Sequence, residues 1–117
     1  IHNVSTAEAL LLAQRVGLDL RTTLAAVADG AGNSRMLEVR GPLMIEERYS
    51  PATMRVGLFR KDVRLIKELE ASVGLDTPLL SVVDRIYREA EEAGLGDLDT
   101  ASVFSLLRSS AHPQESA

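Results

Sequence analysis

The chain has 117 residues, 45% of them apolar and 26% charged, with a formal net charge of −4. That length suits one domain with its own core. The absence of cysteine excludes disulfides and thiolate-bound zinc or iron–sulfur centres. The two histidines, His2 and His112, stand at opposite ends, so no metal site is proposed. Basic residues are scattered among acids and only 3% of residues are aromatic, which gives nucleic acid little to bind. No apolar run approaches the roughly 18 residues of a membrane span, and nothing resembles a signal peptide. The expectation is a soluble cytoplasmic protein. The chain opens on Ile1 and runs straight into an apolar segment, as if cut inside a helix.

Leu and Ala dominate the apolar fraction, which favours helix over sheet. The first segment, Val4 to Val16, is apolar nearly all round and stops at Gly17, a pattern expected of a central helix. Asp19 is a plausible N-cap for a second helix whose Leu20, Leu24 and Val27 share one face, with Gly30 at its end. "GAGNS" follows as a helix–helix loop in which Asn33 or Ser34 caps a short helix over Arg35 to Arg40. Gly41-Pro42 is expected to break that helix, with another short piece from Pro42 to Glu47.

A fourth segment runs from about Val56 to Val73. Wound as a helix, it sets Leu58, Leu65, Ile66, Leu69 and Val73 on one side, with Asp62 in the middle of that stripe and Lys61 at its edge. If the stripe is buried, Asp62 is a misplaced charge; the residues alone assign it to pinning two helices in register. Lys61 is open between snorkelling into water and contacting an anion. Next, Thr77 and Pro78 start a helix carrying Leu79, Val82, Val83, Ile86 and Ala90, with Asp84 and Arg88 paired outside and Gly94 after the end. Asp99 or Thr100 caps a last helix through Leu107, and residues 109–117 form a polar tail expected to be disordered. The fold class is all-α: a compact bundle of five to six helices over residues 1–108.

Nucleotide-binding loop motifs are absent, neither histidine suggests a triad, and Glu46-Glu47 and Glu91-Glu92 are expected to be solvated helix faces. Two stretches nevertheless carry a resemblance: "TAEALLLAQRVGLDLRTTLAAVADGAGNS" and "RKDVRLIKELEASVGLDTPLLSVVDRIYREAEEAGLGDLDTASVF". In order and spacing, from Thr6 to Leu107, they are similar to the C-terminal helical domain of the β-hydroxyacid dehydrogenases, the group containing 3-hydroxyisobutyrate dehydrogenase.

The resemblance implies an oxidoreductase in two parts. A Rossmann domain binds most of the NAD or NADP, and the helical domain supplies one wall of the cleft and an oligomer interface. A small hydroxyacid is the implied substrate. The family's catalytic lysine, and the asparagine four residues after it, are expected upstream of Ile1, so residues 1–117 alone are expected to be inactive. Asn3 is out of register for that asparagine. The Lys-Asp pair does carry over: Lys61 becomes the cofactor- or substrate-binding residue, Asp62 its support on the buried side, and Phe59, with Met54, apolar wall of the cleft. Asn33 and Ser34 are expected to cap a helix rather than to approach substrate. The alternative is a non-catalytic helical dimerisation or partner-binding domain.

Overall fold

The computed structural model describes residues 1–111. Six α-helices follow in order: α1 (His2–Arg15), α2 (Leu20–Ala28), α3 (Arg35–Glu46), α4 (Val56–Ser72), α5 (Pro78–Ala90) and α6 (Val103–Ala111). A wide turn at Glu91–Leu95 and a 3-10 turn at Thr100–Ser102 join the last two. Among the described residues there is no strand, only an isolated bridge between Arg55 and Asp99. α6 extends to Ala111, past the boundary expected at residue 108; the rest of the expected tail, 112–117, lies outside the described residues.

α1 packs against α2, α3 and α6 and buries Val4, Ala7, Leu10 and Ala13. It is central on that side, while Leu12 and Val16 face outward. Two expected caps are present. The Asp19 carboxylate accepts the Thr22 N–H at 2.9 Å and the Ser34 hydroxyl accepts that of Leu37 at 3.0 Å, each satisfying a donor the helix cannot. Thr77 starts α5 without a side-chain cap; its hydroxyl donates to the Glu70 carboxylate instead.

Gly41-Pro42 does not break the third helix. α3 runs through both residues to Glu46 and ends at Glu47 in the left-handed region. Pro42 removes one backbone donor, at a typical cost of about 3 kcal/mol, yet Leu37, Arg40, Gly41 and Met44 bury one continuous face across it. Gly41 is part of the reason. A Cβ there would stand 2.5 Å from Leu24 Cδ1, so the absent side chain is the notch that seats α2 on α3.

The fourth helix departs furthest from expectation. α4 buries Val56, Val63 and Glu70, while Leu58, Leu65, Ile66, Leu69 and Val73 are exposed, Leu65 at 56% and Leu69 at 65%. Two apolar faces exist on one helix, and the less obvious one packs. Val56 and Val63 lie a heptad apart, with Phe59 between them meeting Tyr87 edge-to-face at a centroid distance of 4.9 Å. Asp62 is therefore exposed and not a buried register pin. Arg60 does that work: its side chain is 14% exposed, with Nη1 2.7 Å from Glu91 Oε1 and Nη2 3.8 Å from Asp84 Oδ1. Glu91 is accordingly more than a solvated carboxylate. α5 behaves like α4: Val83, Ile86, Tyr87 and Ala90 are buried, and Leu79 and Val82 are exposed.

The most deeply buried carboxylate among the described residues is Asp99, 1% exposed. It accepts N–H groups of Thr53 (3.0 Å), Met54 (3.2 Å) and Ala101 (2.8 Å) together with the Thr53 hydroxyl (3.0 Å). Arg40 Nε lies 3.1 Å from its Oδ2. Asp99 thus ties the segment before α4, the turn before α6 and the middle of α3 to one point.

Candidate functional site

The rotation of α4 decides what its open side offers. With Val56, Val63 and Arg60 turned inward, Phe59, Asp62 and Ile66 form one wall of an open trough of about 570 Å³. Leu79, Leu80 and Val83 of α5 form the second wall, and the start of α1 (Ile1, His2, Asn3) with Met36 of α3 closes the end. The lining is mainly apolar, and Asp62 is its one acidic side chain.

Phe59 is half-buried and lines the trough. Asp62, expected on the buried side, is exposed, as is Lys61. Asp62 faces the trough, and Lys61 is exposed outside the lining residues, about 100° further around the helix. Neither makes a hydrogen bond or ion pair within the described residues, so both are free for a ligand or another domain. Met54 is not among the lining residues of the trough; its backbone N–H donates to Asp99. Asn33 and Ser34 line a separate hollow with His2 and Ser5; Ser34 caps α3 and the Asn33 amide donates to Glu38 at 2.9 Å.

Asn3 was legible only as a helix residue. It is buried at the end of the trough, its Oδ1 without a hydrogen-bond partner. Tyr87 donates to the Thr100 carbonyl at 2.9 Å, and burial pushes its hydroxyl well above the ordinary phenol range. It is a neutral donor at any ordinary pH. An asparagine amid Val4, Ala7 and Leu10 on the inward face of α1 is the signal that marks this position. Among the described residues no group of three or more His, Asp and Glu could hold a metal ion, and no helix is long and apolar enough to cross a membrane.

The family model described as "NAD-binding of NADP-dependent 3-hydroxyisobutyrate dehydrogenase" matches residues 1–107. The chain belongs to this family. Among its relatives, the chloroplastic glyoxylate/succinic semialdehyde reductase 2 of Arabidopsis thaliana is 36% identical over 104 residues, 89% of this chain and 29% of that protein. L-threonate dehydrogenase of Haemophilus influenzae is 32% identical over 117 residues, the whole chain and 38% of the enzyme. The crystal structure of 3-hydroxyisobutyrate dehydrogenase from Salmonella typhimurium superposes with a TM-score of 0.85 at 30% identity, over 90% of this chain and 36% of that one. The chain spans about a third of the length of the relatives it matches. The fold expected from the resemblance, a helical dehydrogenase domain, is the one observed.

Proposed function

We propose that residues 1–117 act as the C-terminal helical domain of a cytoplasmic NAD(P)-dependent β-hydroxyacid dehydrogenase, forming one wall of its substrate and cofactor cleft. The observation that carries this is the trough. An apolar wall with one carboxylate, Asp62, and an unpartnered ammonium, Lys61, on the same exposed stretch of α4 suits a ligand with an apolar ring and anionic groups.

Lys61 fits a phosphate of the dinucleotide or a substrate carboxylate, because a free ammonium on a flexible stem takes an oxyanion as a point charge. Asp62 offers acceptor oxygens to a hydroxyl, and Phe59 a flat apolar surface. Bound nicotinamide supplies the hydride chemistry; this chain contributes position, charge and exclusion of water. Residues 1–117 alone are expected to give no turnover of glyoxylate or succinic semialdehyde with NADH or NADPH, and none of L-threonate or 3-hydroxyisobutyrate with NAD+ or NADP+. In the protein that contains this chain, Lys61→Ala should weaken NAD(P)H binding or raise KM for the hydroxyacid by about tenfold, the worth of one charge-assisted contact. Turnover by the isolated domain, or unchanged constants in the variant, overturns the reading.

A second reading is a helical dimerisation or partner-binding domain without chemistry. Its support is the apolar surface that Leu65, Leu69, Leu75, Leu79 and Val82 leave exposed along α4 and α5. The two readings share an oligomer interface and part on cofactor binding. Sedimentation with and without NADPH separates them.

A further inference from the structure

On the reading just given, α4 must present its side chains at a fixed rotation, and what fixes that rotation is visible. The first turn of α4 has no side-chain cap. Its N–H groups at Val56 and Gly57 donate to the carbonyls of Leu98 and Gly96, both at 2.9 Å, which sets the helix end but leaves the next turn to side chains. There Arg60 reaches across to α5 and the wide turn after it. Glu91 holds one guanidinium nitrogen at 2.7 Å and Asp84 faces the other at 3.8 Å, while Nε is buried without a partner. Glu91 also lies over the start of the helix, since a Cβ on Gly57 would stand 3.5 Å from its Oε2. The Arg60 end of this tether is buried, its side chain 14% exposed, while the Glu91 end at 41% stays open to solvent.

Arg60 and Asp62 stand about 200° apart around the helix, so a tether on one side governs the other. A rotation of about 20° would sweep a side-chain end through roughly 2 Å at the outer radius of a helix. Errors of 1 Å in placement are enough to cost about a hundredfold in rate. We propose that Arg60, held by Glu91 and Asp84, is a positioning residue that sets the rotation of α4 and thereby aims Asp62 into the trough and Lys61 at its rim. The proposal rests on the dehydrogenase reading and adds a residue that touches neither substrate nor cofactor.

The test is a double-mutant cycle in the full protein containing this chain, read as the NADPH dissociation constant by fluorescence. Arg60→Met should raise it about fivefold alone and by less than about twofold in a Lys61→Ala background, because coupled residues fail to add. Glu91→Gln, which alters the tether from the wide turn after α5, should reproduce the rise, and Arg60→Lys should retain most of the binding. A structural role without positioning predicts a lower melting temperature with an unchanged dissociation constant, and that result overturns the proposal. Equal Arg60→Met effects in both backgrounds overturn it too. If Lys61→Ala itself changes nothing, the assignment of Lys61 falls and this inference with it; a Lys61 effect without an Arg60 effect sinks the inference alone.

Discussion

Arg40 and Asp99 meet inside the domain, Nε to Oδ2 at 3.1 Å, and the pair is asymmetric. Burial pushes the Asp99 carboxyl up, but the N–H groups of Ala101 and Met54, the Arg40 charge and Thr53 outweigh it and hold the group below the usual carboxylate range. Asp99 has four other hydrogen bonds to lean on; Arg40 Nε has in addition only the Thr100 hydroxyl at 3.0 Å. Asp99→Ala strands a buried guanidinium and several backbone donors, and should destabilise the fold by about 3–5 kcal/mol. Arg40→Met leaves Asp99 solvated by protein donors and should cost about half as much. Urea denaturation of both variants checks the order; equal losses would mean the ion pair alone matters.

Asp62 gives the opposite expectation. A buried carboxylate cannot be replaced cheaply by leucine, whereas an exposed one without partners can. Asp62→Leu should leave stability within about 0.5 kcal/mol of the parent. A loss of several kcal/mol in urea would place the carboxylate inside the packing after all.

These two aspartates show what was legible. Helix count, the Asp19 and Ser34 caps, and the stop at Gly74, which has φ +68°, depend on local chemistry and could be taken from neighbouring residues. The buried side of α4 could not. Its apolar stripe is stronger than its packed face, because the stripe serves a surface open in this domain while Val56 and Val63 suffice against α5. Periodicity finds an apolar face but not what covers it. The burial of Asp99 was hidden for a related reason: its partners Arg40, Thr53 and Met54 are distant in sequence, and only the fold brings their donors together. The resemblance singled out Phe59 and the Lys-Asp pair as candidates, but that Asp62 and not Lys61 lines the trough follows from the rotation of α4, which periodicity does not supply.

The tip of the α4–α5 hairpin should respond to pH. The Thr77 hydroxyl, then Lys67, hold the Glu70 carboxyl below its ordinary value, and Ser81, then Lys67, do the same for Asp76. Lys67 is raised, chiefly by its bond to Glu70. Carboxyls lowered in the fold contribute stability above the ordinary range near pH 4, and lose it as pH falls through their lowered values. A raised lysine contributes below about pH 10 and loses its share as pH climbs through the raised value. Stability should therefore be flat from roughly pH 5 to 9 in these groups and decline on both sides. Amide exchange at the hairpin tip, compared with Lys67→Met, is the measurement; a variant with an unchanged acid limb would remove Lys67 from the account.

Gly41 tests the notch between α2 and α3. Alanine is the better helix former by about 1 kcal/mol, so a free site would gain. Here the new methyl would meet Leu24 at 2.5 Å from Cδ1 and 3.1 Å from Cδ2, and both atoms belong to a side chain that can move. The overlap should cost about 1–3 kcal/mol, leaving Gly41→Ala neutral to about 2 kcal/mol destabilised. Leu24→Ala alone opens a half-buried cavity and should also lose stability. The double variant should lose less than the sum of the two, since the small side chain makes room for the methyl. Thermal melts of all four proteins give that coupling directly. Strict additivity would show that Gly41 is there for another reason than the seat of Leu24.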